Sequence, residues 1–469
     1  MESKSNPKRA VLFEDLWSVI GGFGRYPILL FAFMCYVTVI VDFQQFIQTY
    51  YGSAPNYQCI PWDPNTNNSC AINECGCSNC TYVFDDEFTS AVSEWMLICD
   101  RAHFRALSQS VFYGGLLVGS IGFGKFSDHF GRKPGLFLSM FLMVIFGFGS
   151  SFANSFTLFA VMRFGAGFAT AGALLIRWIP ETPSWLIANG KLQEAQKVLE
   201  SFAAASGYKV DSKHLSSVIQ DVKDFEKEQT ADNRNKSGIL DLVKTRKMRK
   251  RTLMLCYNWF VNSVVFYGIT LNAKNLGGSF HLNVFILFAV GIPGVFALWV
   301  IFKKCGRRIG YSCLMLFCGL TSLMVLAVPQ SQGDDPIIKV LAVFGVFSIM
   351  ATFSGIYIYT SELNPTLLRN LGLGVGSMTS RVGGIIAPYI VYLNDFMQNL
   401  PFVVFGVMAF TAGFVALFLP ETLFSPMPQT VDQVESWDED YGLPCRKRTT
   451  KAEEVVMEQD KDEKETTAL

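Results

Sequence analysis

Ten long apolar runs constrain the fold of this chain more than any other feature. A bilayer core about 30 Å thick requires roughly 20 apolar residues in a helix that rises about 1.5 Å per residue. The sequence therefore predicts an all-α membrane protein with about ten transmembrane helices. The predicted spans cover residues 27–46, 106–124, 135–153, 155–176, 252–271, 282–302, 311–328, 337–359, 371–391 and 400–419.

The composition favours the same interpretation. Hydrophobic residues make up 50% of the 469 residues and charged residues only 17%, whereas soluble domains carry about a quarter charged residues. The alternative is a large soluble protein, which would have to bury ten such runs in one core. The formal net charge of zero gives no reason to expect a nucleic-acid partner. No cleavable signal peptide is expected, because the first apolar run begins only after Pro27.

The distribution of Lys and Arg predicts which loops face the cytoplasm, because basic residues near span ends favour that side. Residues 48–105 contain only Arg101 and Arg105, whereas residues 177–251 contain fifteen basic residues. The first segment is therefore predicted to be extracellular and the second cytoplasmic. The predicted parts are a cytoplasmic N-terminus at 1–26, an N-terminal helical half of four spans at 27–176, a cytoplasmic loop at 177–251, a C-terminal helical half of six spans at 252–419 and a cytoplasmic tail at 420–469.

Six of the twelve cysteines lie in the predicted extracellular loop, where an oxidising environment favours disulfides. The same loop carries glycosylation sequons at Asn67 and Asn79. A zinc cluster of Cys75, Cys77 and Cys80 is the alternative interpretation, which the outward orientation disfavours. We expect disulfides and glycosylation in this loop, and the pairing of the cysteines stays open.

A glycine-rich charged segment, GKFSDHFGRK at 124–133, joins the second and third predicted spans. Its glycines permit a tight turn and close helix approach. Its aspartate can accept hydrogen bonds at a helix N-terminus, and the Arg-Lys pair can anchor at lipid headgroups. The residues with a predicted gating or coupling role in this segment are Gly124, Asp128, Gly131, Arg132 and Lys133.

A shorter version of the segment, Gly306-Arg307-Arg308, follows the sixth predicted span. Recurrence of this kind favours two related halves packed around a central site. The alternative for each copy is a generic basic turn.

The pattern Gly-x-x-x-Asp-x-x-Gly-Arg-Lys resembles the signature loop of the major facilitator superfamily. Three other segments narrow the resemblance to its organic cation/carnitine (organic ion) transporter family: SEWMLICD at 93–100, IPETPSWLI at 179–187 and LNPTLLRNLGLGVGSMTSRVGGIIAPY at 363–389. The resemblance implies the major facilitator superfamily fold, a multi-pass location in the plasma membrane, and transport of small organic ions by alternating access. No enzymatic activity is expected.

The chain departs from this family in length. The resemblance implies twelve spans, with two of them between RFGAGFATAG and the PETP motif, but here Pro180 follows Gly172 by only eight residues. The fifth and sixth helices of the family are therefore expected to be absent. Later loops keep their sides of the membrane, because two spans are lost together. The shortened N-terminal half also raises the alternative of a transport-inactive protein that binds or regulates a relative.

Three ionisable residues in the predicted spans are candidates for function, because charge is costly inside a membrane. Asp42 could pair with a quaternary ammonium group, or could be an interfacial acid where the first span ends. Arg381 could hold a carboxylate as a fork, and the resemblance implies Arg at this position in carnitine-type and anion carriers. Its alternative is a structural salt bridge, for instance with Glu362. Arg163 could serve gating or coupling, or could be a structural pairing.

Aromatic residues could supply the cation-binding side of a site, because a desolvated ring face attracts a quaternary ammonium group by about 2 kcal/mol. The candidates lie in the fifth and eighth predicted spans, which the resemblance places along the pathway: Trp259, Phe266, Tyr267, Tyr357 and Tyr359. Packing against lipid or core is the alternative for each ring alone. Together with Arg381 they favour a zwitterion such as carnitine.

Three functions stay open at this stage. They are a carrier of organic cations or zwitterions, an organic anion carrier of the same family, and a transport-inactive regulatory protein. No cofactor or metal is expected, and coupling to Na⁺ or H⁺ is left open. The tail ends Thr467-Ala468-Leu469, which resembles a ligand of PDZ-domain proteins.

Overall fold

The computed structural model describes residues 32, 43–61, 72–73, 75, 80–85, 89–130, 132–172, 186–187, 190–205, 210–233, 240–272, 280–328, 336–365, 368–397, 399–423, 428 and 431–436. Helices form nearly all of the regular structure in these residues, which confirms the predicted all-α class. Their bounds are α1 Gln48–Tyr51, α2 Ala91–Glu94, α3 His103–Phe130, α4 Arg132–Ser151, α5 Phe156–Thr170, α6 Leu192–Ala205, α7 Ser212–Asn233, α8 Asp241–Lys244, α9 Arg246–Leu271, α10 Phe280–Ala289, α11 Gly291–Cys305, α12 Arg307–Met324, α13 Pro336–Leu363, α14 Arg369–Tyr392, α15 Leu400–Ala416 and α16 Val431–Ser436.

Six helical stretches in the described residues are long and apolar enough to cross a bilayer. They are Cys99–Ser127, Pro134–Ser151, Arg246–Leu271, His281–Cys305, Arg307–Ala327 and Pro336–Leu363. Helices α5 and α15 are apolar but shorter. Helix α14 has 24 residues, but its glycines, serines and arginines make it less apolar than these six. The predicted first span lies outside the described residues except for residues 32 and 43–46.

The observed helices differ from the predicted spans mainly at their ends. Helix α9 begins at Arg246, inside the predicted cytoplasmic loop, because Lys and Arg are good helix formers and let the helix continue into water. Helix α5 ends at Thr170, before the predicted end at 176. The predicted span 282–302 is divided at Val290 into α10 and α11.

The helices form two packed groups. In the N-terminal group, α5 packs against both α3 and α4. In the C-terminal group, α9 packs against α13, α14 and α15, α12 packs against α13 and α15, and α11 packs against α13. The two groups meet mainly where α3 lies along α14. This contact brings the predicted Arg381 helix against the N-terminal half.

A small subdomain that contains the disulfide-bonded cysteines packs against one end of the helical bundle. Strands β1 (Tyr57–Pro61) and β2 (Cys80–Phe84) pair antiparallel. Disulfides join Cys59 to Cys80 and Cys75 to Cys99. The zinc alternative is therefore wrong for Cys75 and Cys80, whose sulfur atoms are bonded to other cysteines. Nothing is described for Cys77.

A separate helical pair, α6 and α7, belongs to the predicted cytoplasmic loop. Leu199 and Phe202 of α6 are buried together with Leu215 and Ile219 of α7 in their own apolar cluster. The pair thus has a core that is distinct from that of the membrane helices.

Candidate substrate site and gates

Arg381 lies in the middle of α14 and is half-buried. Its Nε atom is buried without a hydrogen-bond partner among the described residues. The guanidinium is close enough to act electrostatically on the hydroxyls of Tyr113 in α3 and Tyr357 in α13. The alternative of an Arg381–Glu362 salt bridge is wrong, because Glu362 is bonded to Arg307 instead. The Arg381 guanidinium therefore lies between the two halves and has a buried nitrogen that could donate to an anion.

The predicted rings of α9 and α13 come together beside this arginine. The ring centroids of Trp259 and Tyr357 are 4.5 Å apart, and those of Phe266 and Phe353 are 5.4 Å apart. Tyr357 is the most accessible ring, at 44% exposed. Trp259 is fully buried and its Nε1 donates to the Thr360 hydroxyl at 3.0 Å.

Helix α9, which carries Trp259, packs closely on α14, which carries Arg381. A Cβ atom added at Gly376 would lie 2.5 Å from the Trp259 Nε1 atom. Gly376 is five residues before Arg381 on the same helix, so the two positions point about 140° apart around the helix axis. A side chain at 376 would push α9 and α14 apart.

Tyr359 does not join this group. Its side chain is fully buried, and its hydroxyl donates to the Pro420 carbonyl oxygen at 2.7 Å. Two residues along an α-helix correspond to about 200° of rotation, so Tyr359 faces away from the surface that Tyr357 presents. Tyr359 is therefore a packing residue near the C-terminal end of α13.

Polar residues that the sequence reasoning missed line the N-terminal side of the same region. The Gln45 side-chain amide donates to the Tyr267 hydroxyl, and the Gln109 amide donates to the Gln45 carbonyl oxygen at 3.3 Å. The Gln109 Oε1 atom and the Tyr113 hydroxyl are buried without a hydrogen-bond partner among the described residues. Uncharged polar residues inside the apolar runs were the available signal, because buried polar groups require partners.

Arg163 is enclosed by aromatic rings within the N-terminal half. It is 3% exposed, and its guanidinium carbon is 4.4 Å from the Phe112 ring centre and 5.1 Å from that of Tyr51. Its Nη2 atom donates to the Gln44 carbonyl oxygen at 3.4 Å. These contacts agree with the structural-pairing alternative. A role in gating stays a prediction.

The Gly306-Arg307-Arg308 turn is tied to two carboxylates. Gly306 has φ +81°, and an added Cβ atom would lie 2.5 Å from a Glu421 oxygen, so the turn requires glycine. Glu421 accepts the backbone N–H groups of Arg307 at 2.8 Å and of Arg308 at 3.1 Å, which caps the start of α12. Glu362 accepts a fork of hydrogen bonds from the Arg307 side chain at 3.0–3.2 Å. The second motif copy is therefore part of a cluster in which two carboxylates, Glu362 and Glu421, bind Arg307 and the start of α12.

The first motif copy is placed differently from its prediction. Gly124 lies inside α3 with no atom within 4 Å of an added Cβ, so it forms neither a turn nor a close helix contact. Asp128 lies in the last turn of α3 instead of at a helix N-terminus. Arg132 and Lys133 begin α4. Gly131 lies outside the described residues, as do the side chains of Asp128, Arg132 and Lys133.

Three other predicted residues also lie outside the described residues: Asp42, Asn67 and Asn79. Their roles in cation binding and glycosylation stay predictions.

The C-terminal helix α16 docks at the N-terminal ends of α9 and α14, a contact that the sequence did not indicate. Val434 is fully buried against Leu242, Met248 and Leu368. The Glu435 carboxylate accepts the Lys247 backbone N–H at 2.9 Å. A negative charge is thereby placed at the positive end of a 26-residue helix.

At the opposite end, an ion pair joins the two halves. The Arg105 Nη2 atom at the start of α3 is 2.6 Å from an Asp395 carboxylate oxygen just after α14. Tyr57 of the subdomain lies near both charges: burial raises the pKa of its phenol, and the Arg105 guanidinium opposes that rise. A cavity of about 110 Å³ adjoins the pair.

Comparisons with known proteins agree with this arrangement. A model of the "Sugar (and other) transporter" family matches in two pieces, residues 75–176 and 168–430. The "Solute carrier family 22 member 15-like" protein of Xenopus laevis is 32% identical over 485 aligned positions that cover 90% of this chain and 96% of the relative. The "Organic cation transporter protein" of Drosophila melanogaster is 28% identical, covering 91% and 95%. "Organic anion transporter 3" of Sus scrofa is 29% identical, covering 74% of each.

The fold has a counterpart among solved structures. A crystal structure of a double-tryptophan mutant of XylE superposes with a TM-score of 0.51 at 16% identity and covers 75% of this chain and 91% of that one. At this identity the likeness concerns the fold alone.

Proposed function

Because the chain belongs to the major facilitator superfamily and, within it, to solute carrier family 22, we propose that this multi-pass membrane protein carries small organic zwitterions, such as carnitine, across the plasma membrane. The substrate carboxylate binds Arg381, and the ammonium group lies against the ring of Tyr357 and its aromatic neighbours. The halves alternate access around this site.

The observation that carries the proposal is the half-buried Arg381 without a hydrogen bond or ion pair to any described residue. A charged side chain inside a membrane helix is costly unless it is paired. A carboxylate from the substrate supplies the missing partner, and a guanidinium fork matches its geometry. Glu362, the alternative partner considered from the sequence, is ion-paired with Arg307 instead of Arg381.

The aromatic side of the site accounts for the positive group. Tyr357 presents an accessible ring whose centroid is 4.5 Å from that of Trp259. A trimethylammonium group held by such rings gains about 2 kcal/mol when desolvated. The buried Gln109 Oε1 atom adds an acceptor for a donor group on the substrate.

An organic anion carrier is the second candidate, favoured by Arg381 itself and by the likeness to a pig anion transporter. An anion would use the guanidinium but would gain nothing from the ring faces, whose quadrupole attracts cations. Substrates that carry only one of the two charges therefore distinguish the candidates.

We further propose that the chain lacks the fifth and sixth helices of its family. The alignment with the frog relative runs over 485 positions, more than the 469 residues of the chain, so the relative holds residues that this chain lacks. The family model breaks at 168–176, between α5 and the PETP motif. A transport-inactive protein is the third candidate on this ground.

The test is uptake of labelled carnitine into proteoliposomes that contain the full chain. We expect Arg381→Ala to lower the apparent affinity at least tenfold, since hydrogen bonds to a charged group contribute about 1.5–3 kcal/mol. Arg381→Lys should recover part of this loss, because it keeps the charge without the fork. Ile386→Ala, on the exposed side of the same helix, is the matched control and should transport normally.

The outcomes separate the three candidates. Uptake of carnitine that Arg381→Ala leaves unchanged would refute the proposed site. Preferred uptake of a monocarboxylate without an ammonium group would favour the anion carrier. Saturable carnitine binding without any uptake would favour the transport-inactive protein.

A further inference from the structure

The Arg105–Asp395 ion pair borders a cavity at the end of the bundle beside the disulfide-linked subdomain. The cavity is lined by residues of α1, of the segment that follows it, of α3 and of the C-terminal ends of α9 and α14, among them Thr49, Ser53, Leu271 and Pro388. Helices α9 and α14 also carry the proposed inner site. Pro388, which lines the cavity, is seven residues beyond Arg381, or about 10 Å along the helix axis. The cavity and the inner site are therefore separate positions along α14.

This cavity has the properties of a polar binding site. Thr49 and Ser53 line it, and their hydroxyl oxygens are buried without a hydrogen-bond partner among the described residues. Each side chain is more than nine-tenths buried. Because one water molecule needs about 10–15 Å³, a cavity of about 110 Å³ holds several waters or one small organic solute.

The ion pair itself is weak and can be exchanged. The side chains of Arg105 and Asp395 are 26% and 41% exposed, and pairs with such exposure contribute little to stability. Opening the pair without replacing its charges would leave a guanidinium and a carboxylate unpaired at a partly buried junction.

We propose that this cavity is an outer recognition site for a small zwitterion, which enters by replacing the Arg105–Asp395 ion pair. The substrate carboxylate pairs with Arg105, and its ammonium group pairs with Asp395. The choice of ligand rests on the proposed function.

Charge balance makes the site selective. A zwitterion leaves both protein charges paired, because it brings one group of each sign. A simple anion would leave the Asp395 carboxylate without its cation, and a simple cation would leave Arg105 without its anion. Each of these exchanges separates the pair and leaves one of its charges without a partner.

The exchange also loosens the contact between the halves. Arg105 belongs to α3 of the N-terminal half, whereas Asp395 follows α14 of the C-terminal half. A ligand bound between them replaces a direct 2.6 Å contact by two separate ones. Arrival of the correct solute thereby favours opening at this end.

The test uses the full-length protein in lipid nanodiscs with Thr49→Cys as a reporter. A small methanethiosulfonate reagent is added, and modification is followed peptide by peptide by mass spectrometry. We expect saturating carnitine to slow modification of the new cysteine at least fivefold. Tetramethylammonium and butyrate at the same concentration should leave the rate unchanged. The native exposed Cys305 serves as the internal control.

Two variants locate the effect. Asp395→Asn should abolish the protection, whereas Arg381→Ala should retain it, because the inner site is separate. Protection by butyrate alone, protection that survives Asp395→Asn, or protection that is lost in Arg381→Ala would overturn the inference. Ser53→Cys is a second reporter at the same cavity, and failure of the reagent to reach either cysteine would also overturn it.

The readout does not depend on transport. Protection in a protein that takes up no carnitine would contradict the proposed function and support the outer site. Carnitine uptake without protection would do the reverse.

Discussion

Close glycine contacts hold helices together in both halves of the molecule, and the C-terminal half adds a buried network of polar side chains. In the N-terminal half, α3 and α5 approach backbone to backbone: a Cβ added at Gly115 or Gly167 would collide with the carbonyl oxygen of Phe164 or Phe112. In the C-terminal half, buried polar side chains link the helices. The Asn258 side-chain Oδ1 atom accepts from the Tyr311 hydroxyl at 3.2 Å, and the Thr352 hydroxyl donates to the Asn262 side-chain Oδ1 atom at 2.9 Å.

The contrast shows what each half depends on. Close approach of small residues requires only a short pattern on two helices. A buried polar network requires several helices at one register, since each donor must meet its acceptor. The main apolar core is drawn almost wholly from the C-terminal half, and only Phe112, Tyr113, Leu116 and Ala166 come from the other. We infer that the N-terminal half packs against the larger apolar core of the C-terminal half.

The largest effect is expected from breaking the charge cluster of the C-terminal half. Glu362→Ala leaves the Arg307 guanidinium without its fork, where the two side chains are 11% and 23% exposed. Removing one partner of a buried pair costs about 3 kcal/mol or more. The measurement is the thermal unfolding midpoint in detergent, which should fall clearly. The double variant Glu362→Ala/Arg307→Met should recover part of the loss, and an unchanged midpoint for Glu362→Ala would contradict the comparison.

A smaller loss is expected from separating α3 and α5. Gly167→Ala places a methyl group against the Phe112 backbone, and overpacking of this kind costs about 1–3 kcal/mol. Gly374→Ala on α14 is the matched control, because an added Cβ there meets no atom within 4 Å. We expect a lower unfolding midpoint for Gly167→Ala only. Equal midpoints would show that close backbone approach does not hold the N-terminal half.

The smallest loss of local stability is expected at the N-terminal end of α9, where α16 docks. Glu435→Ala removes the carboxylate that accepts the Lys247 N–H, and loss of a helix N-cap costs about 1 kcal/mol. Hydrogen exchange at the amides of Lys247 and Met248 should become roughly fivefold faster. Gln433→Ala, on an exposed position of the same short helix, is the control and should leave exchange unchanged. Equal rates in Glu435→Ala and the native chain would remove the capping role.

Several elements could be predicted because their signals are local. Apolar length predicted the positions of α3, α4, α12 and α13 to within a few residues, since bilayer thickness sets that length. A turn at Gly306 was likewise indicated, because glycine readily adopts the positive φ that the turn has. The family resemblance placed the helices of Trp259 and Tyr357 along one pathway, but the pairing of these two rings was not itself predicted. The division of 282–302 at Val290 had no comparable signal.

Other elements depended on which helix faces meet. Tyr359 was grouped with Tyr357, but helical rotation directs it to Pro420. Gln109 and Tyr113 are polar positions inside an apolar run, but that signal does not say which neighbouring helix each side chain faces. The Arg105–Asp395 pair joins residues 290 positions apart, a separation at which sequence patterns give no register.

The sequence by itself determined that this chain lies in a membrane, how its spans are ordered and which family it resembles, because hydropathy and short motifs are properties of contiguous residues. The tertiary structure alone decided which charges are satisfied. Glu362 finds Arg307, Asp395 finds Arg105, and Arg381 keeps a buried nitrogen without a partner among the described residues. The reason is physical: the cost of a charge in a membrane is set by the groups within a few ångströms of it, and those groups come from distant parts of the chain.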